Sequence, residues 1–312
     1  MNLWSPAHEW AHDRHDEPPL TLFTSIVMWF TVLLPYAGLI ALVVFTITFA
    51  QDWLSLGFFV GSYLCIGFGV TVGYHRLLAH RAFNTYRWVE LMFLIFGCMA
   101  MQGPPIRWAA THRRHHQKSD HEGDPHSPHL HGTGAMGVLR GLWHAHTGWL
   151  LTKDAHRSFR SVKDLLESPM IRFIDRYYWL WLILSVLIPF SVGYAVRGTA
   201  MGGLACVFWA VIVRITLMHH ATWSVNSICH VFGYRSFKST DESRNNPVIA
   251  IISLGEGWHN NHHAFPTSAR HGLRWFEFDV SYVVIRTFEL LGLAWDVRRP
   301  SAHAMTEKAI AA

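Results

Sequence analysis

Cysteine, charge and basic runs are all scarce in this chain, and each shortage closes off a class of protein. Only four cysteines (Cys65, Cys98, Cys206 and Cys229) occur in 312 residues, each alone and none in a C-x-x-C pair. A disulfide framework and a thiolate metal cluster are therefore excluded, and four buried apolar thiols are expected. Charged residues make up 15% of the sequence, against about 25% in an ordinary soluble domain. The net charge of +5 is not gathered into a basic run or a basic–aromatic motif, so a nucleic-acid partner is not expected. The polar stretch Met1 to Pro19 lacks the basic start, apolar core and small-residue cleavage site of a signal peptide. The first apolar segment is accordingly expected to stay in the mature chain.

What is present is apolar: 51% of residues are hydrophobic and 14% aromatic. Leu20 to Ala50 is a run of 31 residues without a charge, and Trp53 to Tyr74 is another of 22, with only Gln51 and Asp52 between them. About 20 helical residues cross a ~30 Å hydrocarbon core, so these runs read as a transmembrane hairpin. A second hairpin follows at 177–218, turning near Arg197; Pro35 and Pro189 should kink these helices without ending them. Leu91 to Met101 is too short to span and reads as an interfacial helix near 89–102, or equally as a buried core helix.

The domain plan is therefore a cytosolic segment 1–19, a hairpin 20–74, a cytosolic part 75–176, a second hairpin 177–218 and a cytosolic part 219–312. Four spans put both termini and the long central segment on one side. That segment carries Arg76, Arg81, Arg87, Arg107, Arg113, Arg114, Lys118, Arg140, Lys153 and Arg157, which makes its side cytoplasmic by the positive-inside tendency. The fold class expected is an all-α integral membrane protein.

Nine of the 23 histidines fall into four clusters on that side: His75 and His80; His112, His115 and His116; Asn226 with His230; and His259, His262 and His263. Each triplet has i, i+3, i+4 spacing, which places three imidazoles on one helix face. His75 and His80 are about 140° apart on a straight helix and need an ending or distortion near His80 to flank one site. Neutral imidazole suits iron, copper, nickel and zinc, and nine are too many for one ion. Asp120, Asp124, Asp241, Glu242 and Glu256 lie nearby as candidate outer acceptors that would fix imidazole tautomers. His121, His126, His129, His131, His144, His146, His156, His219, His220 and His271 lack ligand spacing and read as structural, outer or surface residues.

The clusters sit in longer motifs. These are Gly73-Tyr-His-Arg-Leu-Leu-Ala-His80-Arg81, Trp108-Ala-Ala-Thr-His112-Arg-Arg-His-His116, Asp124-Pro125-His126, Thr222-Trp-Ser-Val-Asn226-Ser-Ile-Cys-His230 and Gly255-Glu-Gly-Trp-His259-Asn-Asn-His-His263-Ala-Phe-Pro266. With these the chain resembles the integral-membrane fatty acyl desaturases, in their stearoyl-CoA (delta-9) branch and of bacterial type, from about Leu20 to Phe276. The resemblance implies a four-helix stalk with a cytosolic helical cap and a di-iron centre at the boundary. It implies that His75, His80, His112, His115, His116, His230, His259, His262 and His263 are iron ligands and that Asn226 holds a metal-bound water. Dioxygen would be the co-substrate, and an oxygen-dependent cis double bond, at carbon 9, the product. Gln102, Trp108, Thr222 and Trp223 would line the acyl chain's bend. The electron donor would be a separate ferredoxin- or cytochrome b5-like protein, and the location the bacterial inner membrane, among its lipids.

Beside the second cluster stand Gly103-Pro104-Pro105 and Ala110-Thr111, without the polar and charged residues that contact CoA in the animal enzymes. Gly123 to His126 is similar to bacterial and cyanobacterial relatives, some acting on intact lipids, so CoA and membrane lipid both stay open as carriers. A membrane di-iron hydroxylase of acyl chains, alkanes or sterols is the alternative enzyme, and a metal-binding or transport protein the alternative class. Zinc would also accept these imidazoles as a misincorporated metal. Arg214 reads either as a snorkelling interfacial residue or as one serving the site.

Overall fold

Residues 22–45, 52–152 and 160–310 are described by the structure, a computed structural model; the segment 1–19 lies outside them. Helix α1 (Leu22–Phe45) has Pro35 inside it and runs on past it. Helix α2 (Trp53–Phe68) is capped by Asp52, whose carboxylate accepts the Ser55 N–H, and continues directly into a π-helical segment, Gly69–Ala79. A two-residue strand β1 (Asn84–Thr85) follows, then α3 (Arg87–Met99), α4 (Pro105–Lys118), α5 (Gly134–His146), α6 (Lys163–Leu166) and α7 (Pro169–Arg176). The next long helix, α8 (Tyr178–Arg197), ends at Gly198, whose left-handed φ of 68° suits glycine. Thr199 then caps α9 (Ala200–Val207). From there a second π segment, Phe208–Val213, leads into α10 (Arg214–Ser227) and a terminal turn to His230. The remainder comprises α11 (Pro247–Ile252), α12 (His259–Ala264), α13 (Val280–Leu290), β2 (Ala294–Trp295, antiparallel to β1) and α14 (Ala302–Lys308).

Among the described residues, three helices are long and apolar enough to cross a membrane: Trp53–Ala79, Tyr178–Arg197 and Ala200–His230. The 24-residue α1 stands against α10 as a further apolar helix. Ile40, Val43, Val196 and Met201 are exposed on these helices, apolar surface of the kind that marks contact with lipid. Arg197 forms an ion pair with Asp52 and donates to Ser55 Oγ at 2.9 Å. This clamp holds the start of α2 beside the α8–α9 turn, so the ends that carry His75 and His230 lie together at the opposite end.

The shorter helices pack on that opposite end. Tyr74, Leu78, Leu94, Ile106, Leu165, Ile171 and Ile174 form one buried cluster that joins the end of the second helix to α3, α4, α6 and α7. Val72, Leu77, Phe83, Val89, Phe93 and Ile285 form another that ties in α13. Helix α3 buries Val89, Phe93, Leu94, Gly97 and Cys98, so it is a packed element of the core with only Trp88 and its neighbours turned outward. Two expectations change. Cys65 is exposed on α2, and only Cys98, Cys206 and Cys229 are buried. Arg214 does not snorkel to an interface: its guanidinium is buried and donates to Ser185 Oγ at 2.7 Å and to the Met99 carbonyl at 3.2 Å.

The approach of the second helix to α3 is set by glycine. A Cβ at Gly69 would collide with the backbone of Phe96 and Gly97, whereas one at Gly57 would meet nothing. Gly69→Ala is expected to lower stability by about 1–3 kcal/mol through overpacking, read as a reduced thermal midpoint in detergent. Gly57→Ala should leave that midpoint unchanged or raise it.

Candidate metal centre

The second helix resolves the angular problem of its two histidines by winding wider. His75 lies in the π segment and His80 caps it, with the His80 N–H donating to the His75 carbonyl at 3.1 Å, an i→i+5 bond. That winding stacks residues five apart, and the two rings come within 4.9 Å.

The nine histidines converge as two sets. One contains His75, His80, His112, His116 and His262; the other contains His115, His230, His259 and His263; within each set the ligand atoms all lie within 4.8 Å of one another. Neither triplet stays on one face. On α4, His112 and His116 are 40° apart and join the first set, while His115 is 100° from His116 and turns to the second. On α12 the pattern is exchanged: His259 and His263 join the second set and His262 the first.

Inside each set the Nε2 atoms face one another. His80 and His112 Nε2 are 2.7 Å apart, His262 Nε2 is 3.0 Å from that of His75 and 2.9 Å from that of His116, and His230 and His259 Nε2 are 3.0 Å apart. Metal–imidazole bonds of about 2.0–2.1 Å leave neighbouring ligand nitrogens ~3 Å apart, so the sets have the spacing of coordination shells.

The outer atoms fix the tautomers. Nδ1 of His115 donates to Asp124 at 3.0 Å, that of His230 to Asp120 at 2.8 Å and that of His263 to Asp241 at 2.7 Å, while His75 Nδ1 pairs with Glu256. With Nδ1–H committed, each Nε2 is a bare lone pair. His115 and His263 Nε2 nevertheless face each other at 3.3 Å. Two lone pairs aimed together repel unless a proton or a metal ion lies between them, and with the ~3 Å spacing found in both sets the residues fit a metal ion in each. Glu242 does not take an acceptor's place: its carboxylate is 3.4–3.5 Å from Arg244 and Arg235, and only its backbone N–H reaches Asp120.

Burial and mutual repulsion keep His80, His112, His116, His259, His262 and His263 neutral, with pKa values well below the ordinary imidazole range. For His115, burial opposes the charged form but the Asp124 carboxylate outweighs it and raises the pKa. Burial likewise works against ionised Asp120, yet its bonds to His230, the Glu242 N–H and Ser127 bring it down to about 2.

Sequence spacing gave no hint of a further buried network. Arg76, fully buried, donates to Asp279 at 3.1 Å and lies 3.2 Å from Glu256 Oε1. His271 packs 4.4 Å from His262 and bonds to Arg76, and His126 packs 4.2 Å from His115. These histidines lack i, i+4 partners, and only the fold brings them to the two sets.

Of the proposed substrate residues, three form a chain. Trp108 Nε1 donates to Gln102 Oε1 at 3.3 Å, and Gln102 Nε2 donates to Thr222 Oγ1 at 2.9 Å. The Trp108 ring stacks on His112 at 5.1 Å. Trp223 turns away, into a buried cluster with His146, His219 and His220. Asn226 lies on α10 one turn before His230 and is half-buried.

Residues 51–279 match the fatty acid desaturase family model. Among known proteins, the chain is 40% identical over 280 residues to the hex-5-enoyl-[acyl-carrier protein] acetylenase of Moorena producens, covering 89% of this chain and 87% of that one. It is 37% identical over 302 residues to the sn-1 stearoyl-lipid 9-desaturase of Synechocystis, covering 96% and 87%. The sn-1 stearoyl-lipid 9-desaturase of Anabaena variabilis is 38% identical over 251 residues, covering 79% and 85%.

Proposed function

Because this chain belongs to the fatty acid desaturase family, we propose that it is an oxygen-dependent desaturase that introduces a cis double bond at carbon 9 of a saturated chain carried on a membrane lipid. The observation that carries this reading is the pair of imidazole sets whose lone pairs converge at one end of the apolar helices. In this reading four helices span the bacterial inner membrane, and both termini and the site are cytoplasmic.

His75, His80, His112, His116 and His262 hold one iron ion; His115, His230, His259 and His263 hold the other. Bound there, the two ions supply the oxidation, with dioxygen, that removes one hydrogen from each of two adjacent methylene carbons. Balance requires two further electrons and two protons, so that dioxygen leaves as two waters; a separate ferredoxin- or cytochrome b5-like protein delivers the electrons. Asp120, Asp124, Asp241 and Glu256 hold four imidazoles in one tautomer with Nε2 inward. Asn226 offers its neutral amide to a water beside the second set. The Trp108–Gln102–Thr222 chain fixes which carbons are presented.

Lipid as the carrier is supported by the names of the Synechocystis and Anabaena variabilis relatives and by Gly103-Pro104-Pro105, where CoA-contacting side chains would stand. The acetylenase relative favours a second reading, a chain carried on acyl-carrier protein. Expression in a host without such an enzyme, followed by mass-spectrometric location of new double bonds, should reveal monounsaturated lipid with the bond at carbon 9. Purified protein given the same chain on lipid, CoA or acyl-carrier protein should convert the lipid fastest. Absence of any new double bond with iron and electron donor supplied would sink the proposal.

A further inference from the structure

Helix α11 buries Ile249 and Ala250 and turns Pro247, Val248, Ile251 and Ile252 outward, with Val248 68% and Ile251 74% exposed. No charged residue lies on this helix. Beside it, Trp258 Nε1 donates to the Phe278 carbonyl at 2.9 Å, and Ser281 Oγ to the Leu254 carbonyl at 2.8 Å. These bonds bring the segment 274–278 alongside, where Phe278 is 68% exposed and Trp275 94%, next to the exposed Arg274. An apolar surface of this kind on a cap needs a partner.

Its depth identifies the partner. The Ile252 carbonyl accepts a hydrogen bond from Tyr63 OH at 2.6 Å, and the Leu254 side chain lies against Gly67. Tyr63 and Gly67 stand ten and fourteen residues along the helix that begins at Trp53, or about 15 and 21 Å at 1.5 Å per residue. A hydrocarbon layer ~30 Å thick that begins near Trp53 extends beyond both contacts. The underside of α11 is therefore level with acyl chains, while Trp275 and Arg274 have the chemistry of the interfacial belt.

We propose that α11 and the 275–278 segment are a monotopic membrane insertion, in which Val248, Ile251, Ile252 and Phe278 enter one leaflet beside the second helix. Its partner is the lipid bilayer itself. Insertion of an apolar face 5–10 Å past the headgroups is the ordinary depth for such elements. The same α11 leads through residues 253–258 to His259, so the leaflet is anchored one short loop away from the imidazole sets.

Spin labels on the full chain in phosphatidylcholine–phosphatidylglycerol vesicles test this, with Cys65→Ser removing the exposed thiol. Labels at Ile251→Cys and, independently, Val248→Cys should collide with oxygen in several-fold preference to a water-soluble nickel chelate. A label at Glu242→Cys, exposed on the cap, should show the reverse, and one at Val60→Cys, exposed on α2, should read as hydrocarbon. Chelate access at 248 and 251 equal to that at 242 would overturn the insertion while leaving the span intact. Protection there from both colliders would overturn it in favour of a protein partner or a second copy. A Val60 label that reads as water would remove the span and the insertion together.

Discussion

Replacing His263 with alanine is expected to reduce double-bond formation to background while the chain still reaches the membrane. His263 Nε2 is one of four nitrogens in the second set, 3.3 Å from that of His115, and its Nδ1 is held by Asp241. Truncation leaves three imidazoles and takes the His263 partner from Asp241 Oδ2, while Oδ1 keeps its bonds from Ser239 and Ser243, so a charged hydrogen bond is lost on top of the imidazole. Even disturbing an outer partner of a metal-bound imidazole typically costs 10–100-fold in affinity or activity, so removing the ligand should cost more. His131→Ala is the control, because that ring packs on His144 outside both sets. Iron content and unsaturated lipid should both fall in the His263 variant and neither in the control. Normal lipid unsaturation in H263A would end the reading of these residues as a catalytic metal centre.

Acidification from pH 7 to pH 5 should cost the protein its metal and much of the cap's stability. Six buried histidines (His80, His112, His116, His259, His262 and His263) have folded pKa values pushed well below 6.5. Below about pH 6.5 the unfolded chain takes up protons that the folded chain refuses, so stability falls as pH falls. Each such group contributes at most about 1.4 kcal/mol per pH unit, and several acting together are comparable with a typical margin of 5–15 kcal/mol. Bound metal extends the same trend, since only neutral imidazole coordinates. Asp120, lowered to about 2, keeps its contribution throughout this window, whereas Asp175, raised to about 7 by burial, offsets part of the loss because the folded chain takes up its proton first. Metal retained after stepped dialysis, together with the thermal midpoint, measures the effect. An unchanged midpoint and full metal content at pH 5 would refute it.

The nine clustered histidines were legible because metal chemistry imposes residue type and helical spacing directly on sequence. The division into five and four was not, because it depends on the axial rotation of α4 and α12 against each other. His75 and His80 looked mismatched, since nothing in Gly69–Ala79 announces i→i+5 winding; the close approach of Gly69 to Gly97 becomes visible only in three dimensions. Proximity in sequence found Asp120, Asp124, Asp241 and Glu256 but also suggested Glu242, which faces arginines. Arg76, Asp279 and His271 were missed for the opposite reason: their contacts span about 200 residues of chain. Arg214 shows the weakness of judging depth by position, since a cation near the end of an apolar run proved to be buried against Ser185.

The exchange of histidines between α4 and α12 has a mechanical meaning. Each helix gives an i, i+4 pair to one set and its remaining histidine to the other. An ion held in either set would thus fix the axial rotation of both helices, and with it the orientation of the imidazoles in the other set. The two receptacles share one pair of axles: a rotation of either helix that widens or tilts one set also moves imidazoles of the other.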